Sequence, residues 1–182
     1  SPGETVLEIG PGLGTLTSYV LRRGPSVVSV EYDSDLARKL PGQFPGKQLT
    51  VVHDDILQYD LSQLPPSYKV VANVPYYITS KIVEKLVRST HRPSVAVLLV
   101  QKEVAERIAA RPGDMSLLAL SAQLYTKARL GVAVPKHLFT PPPKVDSKVV
   151  VLDFLSEPLI SPKDEKPFWR VARAGFSGKR KK

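Results

Sequence analysis

One short segment gathers an amide, a proline and two tyrosines: ANVPYYITS, residues 72–80. The side-chain oxygen of Asn73 accepts hydrogen bonds, and Pro75 fixes its own φ and biases Val74 towards an extended conformation. Such an oxygen, with a neighbouring backbone carbonyl, can accept hydrogen bonds from an exocyclic adenine amine, a poor nucleophile because its lone pair is delocalised into the ring. Tyr76 would stack on the base. The alternative is a plain turn with an asparagine cap and buried tyrosines.

A glycine-rich loop opens the first helical segment of the chain. In VLEIGPGLGTLT, Gly10, Gly12 and Gly14 follow an apolar segment, so the backbone can turn tightly and a ligand can approach the amides at the start of the helix. A dinucleotide site favours a third glycine where Thr15 stands. The loop alone is therefore compatible with a nucleotide site or with a plain tight turn.

Two acidic residues follow the next apolar segments and favour an adenosyl ligand. Glu31 lies 21 residues after Gly10, where a carboxylate can hydrogen-bond both hydroxyls of a ribose. Asp55, in HDDIL, can accept from an adenine amino group, although Asp54 and Asp55 also suit an ordinary helix N-cap pair. Because these acids would repel phosphates, the pattern favours S-adenosylmethionine over NAD or ATP.

The elements that must position these groups alternate between strand-like and helix-like. Five short, mostly valine-rich segments are predicted as buried parallel strands: Val6–Ile9, Val27–Val30, Thr50–Val52, Lys69–Ala72 and Ser94–Val100. Amphipathic patterns predict helices over Thr79–Thr90 and Lys102–Ala110. This alternation predicts an α/β fold with a parallel sheet covered on both faces. Its carboxyl edge, where ligands bind in such folds, would gather the polar residues described above.

The second part of the chain is predicted to complete this domain and to begin another. Its predicted elements are a helix over Met115–Tyr125 and strands over Ala128–Val134 and Lys148–Phe154. We therefore assign residues 1–155 to a catalytic domain. Residues 156–167, SEPLISPKDEKP, are predicted as a linker, and 168–182 as the start of a C-terminal helical domain, with a short amphipathic helix over Phe168–Phe176.

Composition excludes several classes of protein. The chain has 182 residues, 42% of them hydrophobic, which suffices for one well-cored domain and a small appendage. No apolar run is long enough to span a membrane, and no signal-peptide pattern occurs. Cysteine is absent, which excludes a disulfide framework and a thiolate metal site. The three histidines show no ligand spacing, so no metal site is predicted. We expect a cytoplasmic monomer.

Positive charge is concentrated in the last third of the chain. The formal net charge is +9, and residues 127–182 hold 13 Lys and Arg against 5 Asp and Glu, a net charge of +8. Such an asymmetry indicates a surface that faces a polyanion, and a solubilising tail is the alternative.

Taken together, these motifs resemble those of the ribosomal RNA adenine dimethyltransferases, and the small-subunit type in particular. Seven segments occur in that family's order: EIGPGLGTLT, VEYDSDLA, HDDIL, NVPYYITS, LLVQKEVAERI, FTPPPKVDS and FWRVARAGFSGKRKK. The resemblance implies a Rossmann-like, S-adenosylmethionine-dependent methyltransferase with a mostly parallel, seven-stranded sheet, helices on both faces and one antiparallel strand in the last hairpin. The implied substrate is small-subunit ribosomal RNA or its precursor particle.

The resemblance also implies roles for individual residues. The implied contacts to S-adenosylmethionine come from Gly10, Gly12, Glu31, Asp55 and Asn73. Asn73, Pro75 and Tyr76 would hold the target adenine, and Phe139 would close on its other face. Lys144 and the basic cluster of residues 179–182 correspond to RNA-facing positions.

Two departures from the family pattern concern the ends of the chain. A Gln-Asn-Phe-like segment that precedes the first strand in the family does not occur here, and only the first helix of the family's C-terminal RNA-binding domain does. We therefore expect a fragment with weakened cofactor binding, and methylation of RNA only by a longer protein.

Three other functions use the same fold or chemistry. An enzyme of the antibiotic-resistance type would methylate an adenine of large-subunit RNA. A ribosome-assembly factor would bind RNA on this scaffold without catalysis, although the intact Asn73–Tyr76 segment argues against it. A DNA amino-methyltransferase would use the same amine chemistry but does not share the seven segments.

Overall fold

The computed structural model describes residues 1–177 of the chain, with Tyr76 described by its backbone alone. The predicted basic cluster of residues 179–182 lies outside this part. Within the described residues no helix combines the length and apolarity needed to cross a membrane.

A single sheet of seven strands, in the order β3-β2-β1-β4-β5-β7-β6, organises the described chain. The strands are β1 Thr5–Ile9, β2 Ser26–Glu31, β3 Leu49–His53, β4 Lys69–Asn73, β5 Val95–Gln101, β6 Thr126–Val134 and β7 Ser147–Phe154. The first five pair in parallel, and β7 runs antiparallel to both of its neighbours. The predicted fold class, including the one antiparallel strand, is confirmed.

Six α-helices within residues 1–177 connect and cover these strands. They are α1 Thr15–Leu21, α2 Ser34–Lys39, α3 Thr79–Arg88, α4 Lys102–Ile108, α5 Leu117–Gln123 and α6 Pro162–Ser177. Four consecutive residues of β1, Val6 to Ile9, are all buried, so both faces of the sheet are covered, as a parallel sheet requires. The predicted apolar stripe of α3 is buried against this core: Ile82, Val83, Leu86 and Val87.

The predicted linker is wrong in its second half, because α6 begins at Pro162 and not at Phe168. Proline suits the first position of a helix, where its missing N–H would have no partner. The carboxylates of Asp164 and Glu165 lie in the first turn, where the helix dipole favours them. Because proline usually interrupts a helix, Pro167 favoured the prediction of a linker. In the structure it lies inside α6, where it removes one hydrogen bond without ending the helix.

Side-chain contacts and one backbone hydrogen bond anchor α6 to the sheet domain in spite of this proline. Trp169 is buried, and the Tyr125 hydroxyl donates a 2.8 Å hydrogen bond to Glu165 Oε1. The Leu159 N–H donates to the Leu124 carbonyl at 2.8 Å just before the helix. The division into a catalytic and a C-terminal domain stays a prediction.

Gly14 stands where α1 begins, and no other residue fits there without strain. Its φ is +83°, and a Cβ would lie 2.7 Å from Leu40 Cδ1 and 3.1 Å from the ring of Phe44. Leu40 is fully buried and has little room to move. The glycine therefore lets α1 approach the segment that follows α2.

We expect Gly14→Ala to lower the free energy of unfolding by about 2–4 kcal/mol, because it combines left-handed strain with overpacking. Gly46→Ala is the matched control, since Gly46 also has a positive φ (+70°) but nothing within 4 Å of the added Cβ. It should cost about 1–2 kcal/mol. Urea unfolding of both variants measures the difference, and equal losses would contradict the close contact.

Candidate active site

The larger of two cavities relevant to the predicted chemistry lies at the carboxyl ends of the first four strands. It encloses about 430 Å³ and is lined by residues that end or follow each strand: Ile9, Glu31, Asp54 and Pro75. That volume is typical of a site for a small molecule or cofactor. Gly10 and Asp55 also line it, so three of the five predicted cofactor residues meet here.

Glu31 is held in this cavity by backbone N–H groups. Its Oε2 accepts from the Gly12 N–H at 3.0 Å, and its Oε1 accepts from the Asp33 N–H at 2.9 Å. The side chain is 7% exposed. Each carboxylate oxygen can accept a second hydrogen bond, so the pair remains suited to two hydroxyl donors such as those of a ribose. Gly12 does not line the cavity but orients Glu31.

The glycine loop turns through left-handed conformations beside this carboxylate. Gly10 and Gly12 have φ values of +64° and +56°, and nothing lies within 4 Å of where a Cβ would stand on either. Gly10 is tied to the sheet by donating to the Val30 carbonyl at 2.9 Å. The loop therefore leaves open space beside its backbone, into which a ligand can fit.

Asp55 caps the turn after β3 and also lines the larger cavity. Its Oδ1 accepts from the Leu57 N–H at 2.9 Å, which caps the turn after β3, while its own N–H donates to Asp54 Oδ1 at 2.7 Å. The same side chain lines the cavity. Its second carboxylate oxygen can serve a ligand, and contact with an adenine amine stays a prediction.

A smaller cavity of about 280 Å³ adjoins the first. It is lined by Asn73, Val74, Pro75, Phe139 and two prolines of the loop before β7. Pro75 lines both cavities, so the two are neighbours at the end of β4. The structure thus brings Asn73 and Phe139 together across 66 residues of sequence. It places Asn73 in the smaller cavity only, although a contact from Asn73 to the cofactor was predicted as well.

The segment after Asn73 is anchored as its proline suggests. Val74 donates its N–H to the Leu99 carbonyl of β5 at 3.0 Å, and the Pro75 carbonyl accepts from the Ile78 N–H at 3.2 Å. Pro75 has φ −56° and ψ 132°, which turns the chain from β4 into α3. The side chain of Tyr76 lies outside the description, so its stacking role stays a prediction. Lys144 is exposed and does not line either cavity.

Two tyrosines and one glutamate were not predicted as residues of the site. Tyr32 and Tyr77 are 77% and 85% exposed, and both line the larger cavity. Each directly follows a predicted site residue, which was the available signal. Glu8, within an apolar strand, is fully buried, and its Oε2 accepts 2.8 Å hydrogen bonds from the hydroxyls of Thr17 and Ser29. It joins β1, α1 and β2 beneath the glycine loop.

Burial raises the pKa of Glu8 above its ordinary value of 4.5, and the two hydroxyl hydrogen bonds oppose that rise. Among the described residues, no group bonds its Oε1. A raised pKa means that the folded protein binds this proton more tightly than the unfolded chain does. The stabilisation is therefore complete below pH 4.5 and is lost as the pH rises through the folded-state pKa.

We expect Glu8→Gln to remove this loss, because glutamine keeps an oxygen for both hydroxyls and carries no charge. The free energy of unfolding of the variant, relative to wild type, should rise between pH 4.5 and pH 8. Denaturant unfolding across that range measures it, with Glu103→Gln as a control at an exposed carboxyl of α4. Parallel pH curves for wild type and Glu8→Gln would contradict a raised pKa at Glu8.

Comparison with known proteins agrees with this geometry. Residues 1–182 match the family model described as ribosomal RNA adenine dimethylase. Ribosomal RNA small subunit methyltransferase A of Dehalococcoides mccartyi is 42% identical over 185 residues, which cover 99% of this chain and 63% of that protein. The chain thus spans less than two thirds of the length of this curated relative.

Two solved structures are also similar. A dimethyladenosine transferase from Plasmodium falciparum has a TM-score of 0.82 at 30% identity, over 95% of this chain and 63% of that one. The 23S rRNA methyltransferase ErmE has a TM-score of 0.81 at 31% identity, over 97% of this chain and 72% of that one. The whole-chain family match confirms the resemblance seen in the seven sequence segments, and the chain belongs to the ribosomal RNA adenine dimethylase family.

Proposed function

We propose that the protein transfers methyl groups from S-adenosylmethionine to the exocyclic N6 of adenines in small-subunit ribosomal RNA, giving dimethyladenosine during ribosome maturation. The observation that carries this proposal is that one residue, Pro75, lines both cavities. One cavity suits an adenosyl cofactor and the other suits a flat base, so the methyl group would be transferred beside Pro75 at the end of β4.

The larger cavity fits S-adenosylmethionine in its chemistry as well as its size. The buried carboxylate of Glu31 would accept from the ribose hydroxyls, and the open space at Gly10 would admit the ligand beside the backbone. Acidic residues around the cavity, among them Asp33, Asp54 and Asp55, suit a ligand without phosphates. When bound, the cofactor supplies an electrophilic methyl group on a sulfonium.

The smaller cavity supplies what the amine needs. The exposed side chain of Asn73 lines this cavity, so its oxygen can accept from an adenine amine and favour the charge that develops on nitrogen. Phe139 would stack on one face of the base and Tyr76 on the other. The attacking amine gives up its proton to solvent, and no general base is needed if the residues mainly align the reacting atoms.

Similarity favours the small subunit over the large subunit as the source of the RNA. The relative named for the small subunit is 42% identical, whereas the 23S enzyme is 31% identical. The fold does not separate them, since the TM-score to the 23S enzyme is 0.81. Lys144 and the C-terminal basic residues would contact this RNA. Action as a cytoplasmic monomer stays a prediction.

Methylation of the two ribosomal RNAs by the full-length protein tests the proposal. We expect labelled S-adenosylmethionine to give N6,N6-dimethyladenosine in small-subunit precursor particles and none in large-subunit RNA. Mapping by mass spectrometry identifies the modified bases. Label in large-subunit RNA would support the resistance-type enzyme instead, and RNA binding without any label would support an assembly factor.

A further inference from the structure

The turn between β4 and α3 ends at a buried hydroxyl, that of Thr79. This threonine is the first residue of α3 and is 2% exposed. Its Oγ1 donates to the Pro75 carbonyl at 3.4 Å. Pro75 lines both cavities, whereas Thr79 lines neither. The hydroxyl therefore reaches the site only through the backbone of Pro75.

The hydrogen bond of Thr79 spans the turn and not the helix. A buried hydroxyl has lost its contact with water and needs an acceptor within the protein. For a threonine in a helix, that acceptor is often the carbonyl four residues earlier. Four residues before Thr79 stands Pro75, which lies outside α3. The bond thus ties the first turn of the helix to the end of β4.

The Pro75 carbonyl accepts a second hydrogen bond within the same turn. The Ile78 N–H donates to it at 3.2 Å, beside the 3.4 Å bond from Thr79. A carbonyl oxygen has two lone pairs, so both are used by donors at the start of α3. This carbonyl is therefore directed towards the helix and is not available to an adenine amine.

The two ends of the turn are held by different groups. At the strand end, Val74 is 2% exposed and donates its N–H to the Leu99 carbonyl of β5 at 3.0 Å. At the helix end, the N-cap residue Ile78 makes no side-chain cap hydrogen bond within the described chain. The Thr79 hydroxyl is thus the side-chain group that fixes this end of the turn.

We propose that Thr79 positions the Asn73–Pro75 segment for methyl transfer, an inference that rests on the proposed function. Val74 holds one end of the turn and Thr79 the other, so the peptide units between them keep one conformation when an adenine binds. A displacement of about 1 Å in such a site can slow a reaction on the order of a hundredfold. Thr79 therefore affects the rate without touching the base or the cofactor.

Thr79→Val tests this inference, because valine removes the hydroxyl and keeps the branched shape. In the full-length protein we expect single-turnover methylation of small-subunit precursor particles to slow by about tenfold or more, with affinities for S-adenosylmethionine and RNA within about twofold of wild type. Thr79→Ser keeps the hydroxyl and should restore the rate to within about threefold of wild type.

Thr126→Val is the matched control. Thr126 is 3% exposed, and its Oγ1 donates to the Ala122 carbonyl, also four residues earlier, at 2.9 Å. It begins β6 and lines neither cavity. We expect Thr126→Val to lose stability in thermal unfolding and to keep the wild-type rate of methyl transfer. A purely structural role for Thr79 predicts the same result for Thr79→Val.

Amide hydrogen exchange, measured by NMR without RNA, reports the turn separately from the reaction. The Ile78 N–H should exchange faster in Thr79→Val and at the wild-type rate in Thr126→Val. Unchanged exchange at Ile78, or methyl transfer by Thr79→Val at the wild-type rate, would overturn the role of Thr79. So would equal slowing in both valine variants, or a Thr79→Ser as slow as Thr79→Val.

The same assays separate this inference from the proposed function. A wild type that does not methylate small-subunit RNA would overturn the proposed function, and exchange at Ile78 would still decide whether Thr79 holds the turn.

Discussion

Asn73→Ala is expected to slow methyl transfer by about a hundredfold or more and to leave S-adenosylmethionine affinity within a few-fold of wild type. The large loss follows because one fixed acceptor acts where charge develops on the attacking nitrogen. The small change in cofactor affinity follows because Asn73 lines the smaller cavity and not the larger one. Single-turnover methylation of small-subunit precursor particles by the full-length protein measures the first effect, and calorimetry measures the second.

Two further substitutions separate polarisation from stacking. Asn73→Asp keeps an acceptor oxygen in the same place and should retain more activity than Asn73→Ala. Phe139→Ala removes a stacking face worth about 1–3 kcal/mol, so it should weaken capture of the adenine more than the rate once the base is bound. If Asn73→Ala transfers methyl groups at the wild-type rate, the segment is only a turn.

Glu31→Ala is expected to weaken S-adenosylmethionine binding by about 10- to 150-fold, since a charge-assisted hydrogen bond contributes about 1.5–3 kcal/mol. The carboxylate also accepts from the N–H groups of Gly12 and Asp33. Its removal therefore loosens the glycine loop and also removes the expected hydrogen bonds to the ribose hydroxyls. Calorimetry on the full-length protein measures the affinity.

A matched variant divides these two effects. Glu31→Gln keeps an oxygen that can accept from the Gly12 N–H but removes the charge, so its loss of affinity should be smaller than that of Glu31→Ala. Thermal unfolding without cofactor reports the loosening of the loop separately. Equal cofactor affinity in wild type and Glu31→Ala would contradict the proposed contact between Glu31 and the ribose.

The sheet and the lining of the larger cavity were predictable because both depend on local signals. Most of the parallel strands appear as short valine-rich segments, although the edge strand β3 is only partly buried where a buried strand was predicted. The carboxyl ends of parallel strands must share one edge. Gly10, Glu31 and Asp55 therefore meet as expected. The start of α6 was not predictable in this way. Proline favours the first position of a helix, as at Pro162, and disfavours the interior, as at Pro167, so its effect depends on where the helix begins.

Groups brought together over long sequence distances were harder to foresee. Glu8 looks like an exception within an apolar strand, and its hydroxyl partners at positions 17 and 29 lie on two other elements. Arg88 of α3 lines one groove together with residues of α6 that follow about 80 positions later in the chain. Periodicity within one element does not specify such pairs, because they depend on how the elements pack.

The central claim is that cofactor and adenine meet beside Pro75, the residue that lines both cavities. A crystal structure of the full-length protein with a non-transferable S-adenosylmethionine analogue and adenosine tests it most directly. We expect the ribose hydroxyls of the analogue at Glu31, the adenosine base against Phe139, and its N6 within hydrogen-bond distance of Asn73. The N6 atom should lie about 3–3.5 Å from the position of the transferable carbon, the separation of a reactive pair. Adenosine bound outside the Asn73–Phe139 cavity, or an analogue whose ribose lies away from Glu31, would contradict the account.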